Sequence, residues 1–177
     1  MNTNASLVTI TVCSLLLMTA CSQQLAVRPD GIDRYETAFV TVSSKVPDSD
    51  DRVGQLIGLI NTQLEQQRVY HYLNRRNPDQ AAPVLLIEVN IVDIHETTAS
   101  RLIALGKSER SNEVRAEVRL SDRTTGDRLV AFSLFAESPQ RHGLAVEWPW
   151  GSVDEALQRL SEKLVRQLHD WSESPSL

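Results

Sequence analysis

Along much of this chain hydrophobic and polar positions alternate, and between the alternating stretches they recur at a helical period. From Arg34 to Val42, Ala38, Val40 and Val42 fall on one side and Tyr35, Thr37 and Thr41 on the other, which predicts a first strand. Pro47-Asp48-Ser49-Asp50-Asp51 reads as a loop feeding a helix, with acids suited to the positive end of the helix dipole. Val53, Leu56, Ile57, Ile60 and Leu64 then form one apolar stripe. Gly54 and Gly58, four apart in that helix, suggest close packing on a sheet or else a weakened helix; close packing is the expectation taken. Val84 to Ile94 predicts a central strand with Leu85, Ile87, Val89 and Ile91 inward, and the uneven spacing of Glu88, Asn90 and Asp93 predicts a bulge.

Val114, Ala116, Val118 and Leu120 alternate with Arg115, Glu117, Arg119 and Ser121, the pattern of a half-buried strand with a charged outer face. Asp122 to Asp127 turns the chain, Gly126 being suited to positive φ, and Leu129 to Ala136 returns as the hairpin partner. Arg101 to Leu105 extends or edges the sheet. A loop from Glu137 to Gly151 holds Trp148-Pro149-Trp150. Ser152 and Glu155 form a capping box for a last helix, whose buried face is Val153, Ala156, Leu157, Leu160, Leu164, Leu168 and Trp171. The order implies an α+β fold of two layers: a mixed or antiparallel sheet of about four to five strands with two helices on one face. One domain over residues 34–172 is expected, with a short tail at 173–177.

The N-terminus follows neither period. Leu7 to Ala20 is apolar or small and uncharged, and at about 1.5 Å per residue it falls short of a ~30 Å hydrocarbon core. Its length suits the apolar region of a signal peptide, although Met1 to Ser6 carries no Lys or Arg. Met18-Thr19-Ala20-Cys21 resembles the lipobox of bacterial lipoproteins. That resemblance implies cleavage between Ala20 and Cys21 and a lipid anchor, palmitate among its acyl chains, on the Cys21 sulfur. The membrane is then the first partner. Ser22, where Asp would retain a lipoprotein at the inner membrane, implies an outer-membrane, periplasm-facing address, with residues 21–33 as a polar tether. An ordinary secretory signal, or a buried helix with an incidental Cys, stands as the alternative.

Composition narrows the partners. With 41% hydrophobic and 23% charged residues the chain is globular rather than disordered. Its formal charge of −5 lies wholly after residue 20, which argues against nucleic acid as a partner. Cys13 falls in the segment to be removed and Cys21 would be alkylated, so no disulfide is expected.

Candidate chemistry is sparse. No phosphate-binding loop, nucleophile elbow or H-E-x-x-H pair is present, and His71, His95, His142 and His169 lack metal-ligand spacing. No catalytic residue, metal or cofactor is expected. His95-Glu96 near Asp93 reads as solvated polar groups at a strand end, and the Arg–Glu alternation as a solvated strand face. Arg101 suits a carboxylate clamp or an anionic headgroup. Trp148 and Trp150 suit either an aromatic contact for a partner or a staple of their own loop.

The run Arg101-Leu102-Ile103-Ala104-Leu105-Gly106, the strand after it and Asp122-x-x-Thr125-Gly126 resemble a family of bacterial lipoproteins grouped as domain of unknown function 4410. Where that family has a Gly-rich stretch, this chain has Lys107-Ser108-Glu109-Arg110. The resemblance covers roughly Val84 to Leu168 and implies fold and location, with no activity attached. More loosely, the layout is similar to lipid-anchored accessory subunits of lipopolysaccharide assembly and lipid transport. The reading is a non-enzymatic accessory or scaffold lipoprotein of the cell envelope, binding an envelope protein through its sheet edge or the Trp148–Trp150 loop. The alternative is a carrier of a lipid-like ligand, or an envelope transport or assembly subunit.

Overall fold

The computed structural model describes residues 27–72, 83–96, 111–139 and 151–173. A single 3-10 turn, Ile32–Arg34, precedes strand β1 (Thr37–Ser44), helix α1 (Asp50–Gln67), the two-residue strand β2 (His71–Tyr72), β3 (Val84–His95), β4 (Glu113–Asp122), β5 (Arg128–Glu137) and helix α2 (Val153–Glu173). The strands lie in the order β2-β1-β3-β4-β5. β1 runs parallel to both β2 and β3, whereas β3–β4 and β4–β5 are antiparallel, so the sheet is mixed. The expected α+β architecture holds.

Alternation decides which face is covered. Ala38 and Val40 of β1, Leu85, Ile87, Val89 and Ile91 of β3, and Val114, Ala116, Val118 and Leu120 of β4 are all buried, and they share one face through the strand register. Val130, Phe132 and Leu134 of β5 pack against the same cluster. Both helices lie on that face, α1 against β1 and α2 against β4 and β5. Leu56, Ile60 and Leu64 of α1 meet Leu157, Leu160, Leu164 and Leu168 of α2 in one continuous core. Burying such side chains contributes about 1.5–3 kcal/mol each before entropy is counted.

Each helix carries its own start and stop. At the head of α2 the Ser152 hydroxyl accepts from the Glu155 amide at 3.2 Å, and the Glu155 carboxylate accepts from the Ser152 amide at 2.8 Å, the reciprocal bond the spacing predicts. α1 ends on Arg68 in the left-handed region, its amide bonded back to Glu65 and Leu64. The predicted irregularity in β3 is a register shift between Ile91 and Asp93. It resets the alternation, so that Asp93 faces outward beside Arg115 while Ile94 returns to the inner side beside Val114.

The structure departs from the pattern-based reading in three places. Tyr35 is not the outward residue of a strand. The strand begins at Thr37, and Tyr35 is buried beneath the turn before it. The segment read as tether packs onto the body from Arg28 onward: Ile32 is fully buried, and the Arg28 Nε donates to the Trp171 carbonyl oxygen at 2.7 Å. Gly54 and Gly58 do not allow close packing. Both are exposed, and a Cβ at either would meet nothing within 4 Å. Helical periodicity places them opposite the Leu56–Ile60–Leu64 stripe, where a glycine only weakens the helix. Gly54→Ala and Gly58→Ala should therefore each raise unfolding stability by about 0.5–1 kcal/mol. Urea denaturation checks this, and a loss of stability would mean that a hidden close contact exists.

Candidate interaction surface

Connections at the two ends of the sheet set up its surfaces. At one end β4 turns into β5 through Asp122–Asp127; at the other, both helices begin, and Glu96, Ser111, Pro139 and Gly151, which flank the segments 97–110 and 140–150, lie there. The second end is stapled by polar contacts. The Asn112 amide donates to the Ser138 hydroxyl at 2.9 Å, and the Ser138 amide to the Asn112 carbonyl at 2.8 Å. The Asn112 side-chain amide donates to the Gly151 carbonyl, and the Gly151 amide to the Pro139 carbonyl at 3.1 Å. A Cβ on Gly151 would lie 2.9 Å from the Ser138 Cβ, so only glycine permits this approach. The feet of both long segments are thus bound together. Arg101, Trp148 and Trp150, expected to meet a partner, belong to these two segments and lie outside the described residues, as do Ala20 and Cys21.

The sheet face away from the helices is polar, and among the described residues no helix or strand is layered on it. Ion pairs run over it: Arg119 with Glu88 at 3.8 Å and Lys45 with Glu117 at 3.3 Å reach across strands, and Arg115 with Glu113 at 3.9 Å lies along β4. Ser43 donates to the Asn90 side-chain oxygen at 3.2 Å. These pairs are exposed, worth about 0–1 kcal/mol apiece, and stabilise little. Their effect is to keep the face hydrated and charged with both signs. A shallow groove of about 610 Å³ crosses it, lined by Glu88, Asn90, Arg119, Arg128 and Ser133 among others. The Arg115 guanidinium sits 5.3 Å from the Phe135 ring centre, and Arg123 sits 4.3 Å from that of Phe39, which covers the two outward aromatic rings.

The β5 edge of the sheet is less available than the sequence suggests. On β5 the Phe135 carbonyl accepts from the Lys163 ammonium at 2.7 Å, and the Glu137 carbonyl accepts from Arg159 at 3.4 Å. Two cations from α2 therefore occupy acceptors that an incoming strand would need, a common way of blunting an edge. His95 and Asp93, read above as solvated polar groups, stand in register with Glu113 and Arg115 at the end of β3. Among the described residues no cluster of three or more His, Cys, Asp or Glu is placed to hold a metal. No helix among them is long and apolar enough to cross a membrane.

At the hairpin end Asp122 is a junction that the sequence revealed only in part. Its Oδ1 accepts from the amides of Thr124 at 2.8 Å and Thr125 at 3.1 Å, closing the Asp122-x-x-Thr125-Gly126 turn, with Gly126 at φ 78°. Its Oδ2 accepts from the Tyr35 hydroxyl at 2.9 Å and the Arg34 guanidinium at 3.1 Å, 87 and 88 positions away in sequence. Burial alone would raise this carboxyl, but the amides of Thr125 and Thr124, the Tyr35 hydroxyl and Arg34 together hold it below its ordinary value. Burial pushes the Tyr35 phenol up, against the pull of Arg34 and with the added push of Asp122. The turn motif marked Asp122 in the sequence; nothing local marked Tyr35 as its partner.

Comparison with known proteins speaks to the fold. No protein-family model matches the chain, and no curated protein does. The likeness to domain of unknown function 4410 accordingly stays a resemblance of motifs. Among solved structures the chain is similar to the hypothetical protein CT253 from Chlamydia trachomatis, with a TM-score of 0.56 and 12% identity over 80% of this chain and 99% of that one. It is also similar to the PelC dodecamer from Paraburkholderia phytofirmans, with a TM-score of 0.55 and 12% identity over 81% and 94%. A third is protein XCC0632 of the DUF330 family from Xanthomonas campestris, with a TM-score of 0.51 and 9% identity over 78% and 83%. At such identities it is the architecture that is shared.

Asp122→Ala should lower unfolding stability by about 2–4 kcal/mol, because it strands a buried hydroxyl and two amides. Since the folded carboxyl titrates below the unfolded one, its contribution is present above about pH 4 and is lost as pH falls through the folded value. Urea titrations across pH 2–6 should accordingly show a shallower acid limb in the variant; an unchanged limb would remove Asp122 from the account.

Proposed function

We propose that this protein is an outer-membrane-anchored, periplasm-facing lipoprotein that serves as a non-enzymatic accessory or scaffold of the cell envelope. The observation that carries the reading is the uncharged apolar run Leu7–Ala20 ending at Met18-Thr19-Ala20-Cys21. The fold supports it from the other side: Arg28, seven residues after Cys21, is bonded to the body, so an acylated Cys21 would hold the domain close to the bilayer. Close tethering raises the local concentration of the domain for anything else in the same membrane, and that gain is its mechanism.

Two surfaces suit a protein partner. One is the hydrated sheet face with its paired charges and groove, fitted to a polar partner of mixed charge. The other is the end bearing the feet of segments 97–110 and 140–150, to which Arg101, Trp148 and Trp150 belong. The Paraburkholderia phytofirmans PelC is described as a dodecamer, so a domain of this architecture is compatible with assembly into larger bodies. The alternative, a carrier enclosing a lipid-like ligand between sheet and helices, is opposed by the packing there. Leu56, Ile60, Leu64, Leu157, Leu160, Leu164 and Leu168 fill that interface at no more than 1% exposure.

Cys21→Ser should move the protein from the membrane fraction to the soluble periplasmic fraction, and continued membrane retention would defeat the anchor. For the partner, in-cell crosslinking of wild type and Trp150→Ala should give different adducts. Identical adducts would move the contact to the sheet face, where Arg119→Glu becomes the decisive comparison.

A further inference from the structure

The hairpin end of the domain differs from the opposite end in how the chain leaves it. Arg28 is bonded to the Trp171 carbonyl in the last turn of α2 and lies 3.9 Å from Asp33, so the N-terminal segment departs beside the C-terminus of that helix. The neighbouring turn, Ile32–Arg34, is fastened to Asp122 of the hairpin. Val27, just outside this fastening, is 83% exposed, and it is the large apolar side chain left in solvent among the described residues. It lies six positions after Cys21, and a fully extended chain over that distance spans about 20 Å.

The 21 residues of α2 run from the stapled end to the hairpin end over about 30 Å. A domain tethered at Cys21 cannot set its stapled end on the bilayer with the hairpin end uppermost, because the point of departure would then stand about 30 Å away on a tether of about 20 Å. We infer that the hairpin end, made of Val27–Tyr35, the Asp122–Asp127 turn and the last turns of α2, is the membrane-facing surface, and that its partner is the lipid bilayer. The inference rests on the anchored reading above and adds an orientation to it. The polar sheet face and the stapled end then project into the periplasm.

Charge is not what holds this end down. Among the described residues at this end, Arg28, Arg34, Arg68, Arg123 and Arg128 stand among Asp30, Asp33, Asp127, Asp170 and Glu173, a surface of mixed sign. The orientation comes from tether length and the exposed Val27, so salt leaves it unchanged.

Energy transfer from the processed, full-length lipoprotein in phospholipid vesicles tests this. Thr124→Cys marks the hairpin end and Asp51→Cys the stapled end. Both residues are exposed, and a dye on either is unique because Cys21 is acylated. Transfer to a headgroup-labelled lipid should be about two-fold or more stronger from position 124, since roughly 30 Å of helix separates the two levels. The ratio should persist between about 50 mM and about 500 mM salt, a range over which the Debye length shrinks several-fold. It should fall to one when a flexible Gly-Ser linker of about 20 residues follows Ala26. Vesicle-bound protein with equal transfer from both sites, or stronger transfer from position 51, would overturn the orientation while sparing the anchor. Wild-type protein that does not float with the vesicles would overturn both.

Discussion

A sheet with one apolar face has to cover it, and here two amphipathic helices do so side by side. The inner residues of β1, β3 and β4 are aliphatic at nearly every alternate position, and the leucines of α1 and α2 interdigitate above them. The remaining features follow from that one-sided burial. The outer face is left to water, so its residues are charged and paired across and along strands without needing those pairs for stability. The edge strand β5 is protected by cations reaching over from α2, which is close because it must cover the inner face.

Covering one face also leaves the ends of the layers to be closed, and the two ends are closed by different chemistry. At the stapled end, backbone groups and short polar side chains of Asn112, Ser138 and Gly151 satisfy one another in a place too tight for any larger residue. At the hairpin end, one carboxylate, Asp122, joins the turn between β4 and β5 to the segment that enters β1. A buried carboxylate would be costly alone; four donors make it a fastening instead. That fastening gives the N-terminal segment a definite point of departure.

The same arrangement frames what the domain offers to others. The outer face stays hydrated and carries both signs of charge, and Asn112, Ser138 and Gly151 close the stapled end. An interior filled by leucines is not suited to enclosing a ligand. Shared architecture with proteins at 9–12% identity shows that this sheet-and-helix layout tolerates nearly complete sequence replacement, as expected when binary pattern and packing volume carry the fold.

Much of the fold was legible because its signals are local and periodic. Period-two alternation marked β3 and β4 with the right residues inward, β5 followed as the hairpin partner, and the leucine spacing and Ser152–Glu155 box marked α2 with its start. Gly126 announced its own turn. Tertiary structure alone decided what depends on distant residues meeting. Tyr35 looked like the outward side of a strand until the Asp122 carboxylate, 87 positions away, drew it inside. Residues from Arg28 to Ile32 looked like tether because polar spacing cannot show that a helix end will accept the Arg28 proton. Gly54 and Gly58 looked like contact points because they share one face at i, i+4 spacing, but the helical period sets that face opposite the Leu56–Ile60–Leu64 stripe, which is the one that packs on the sheet.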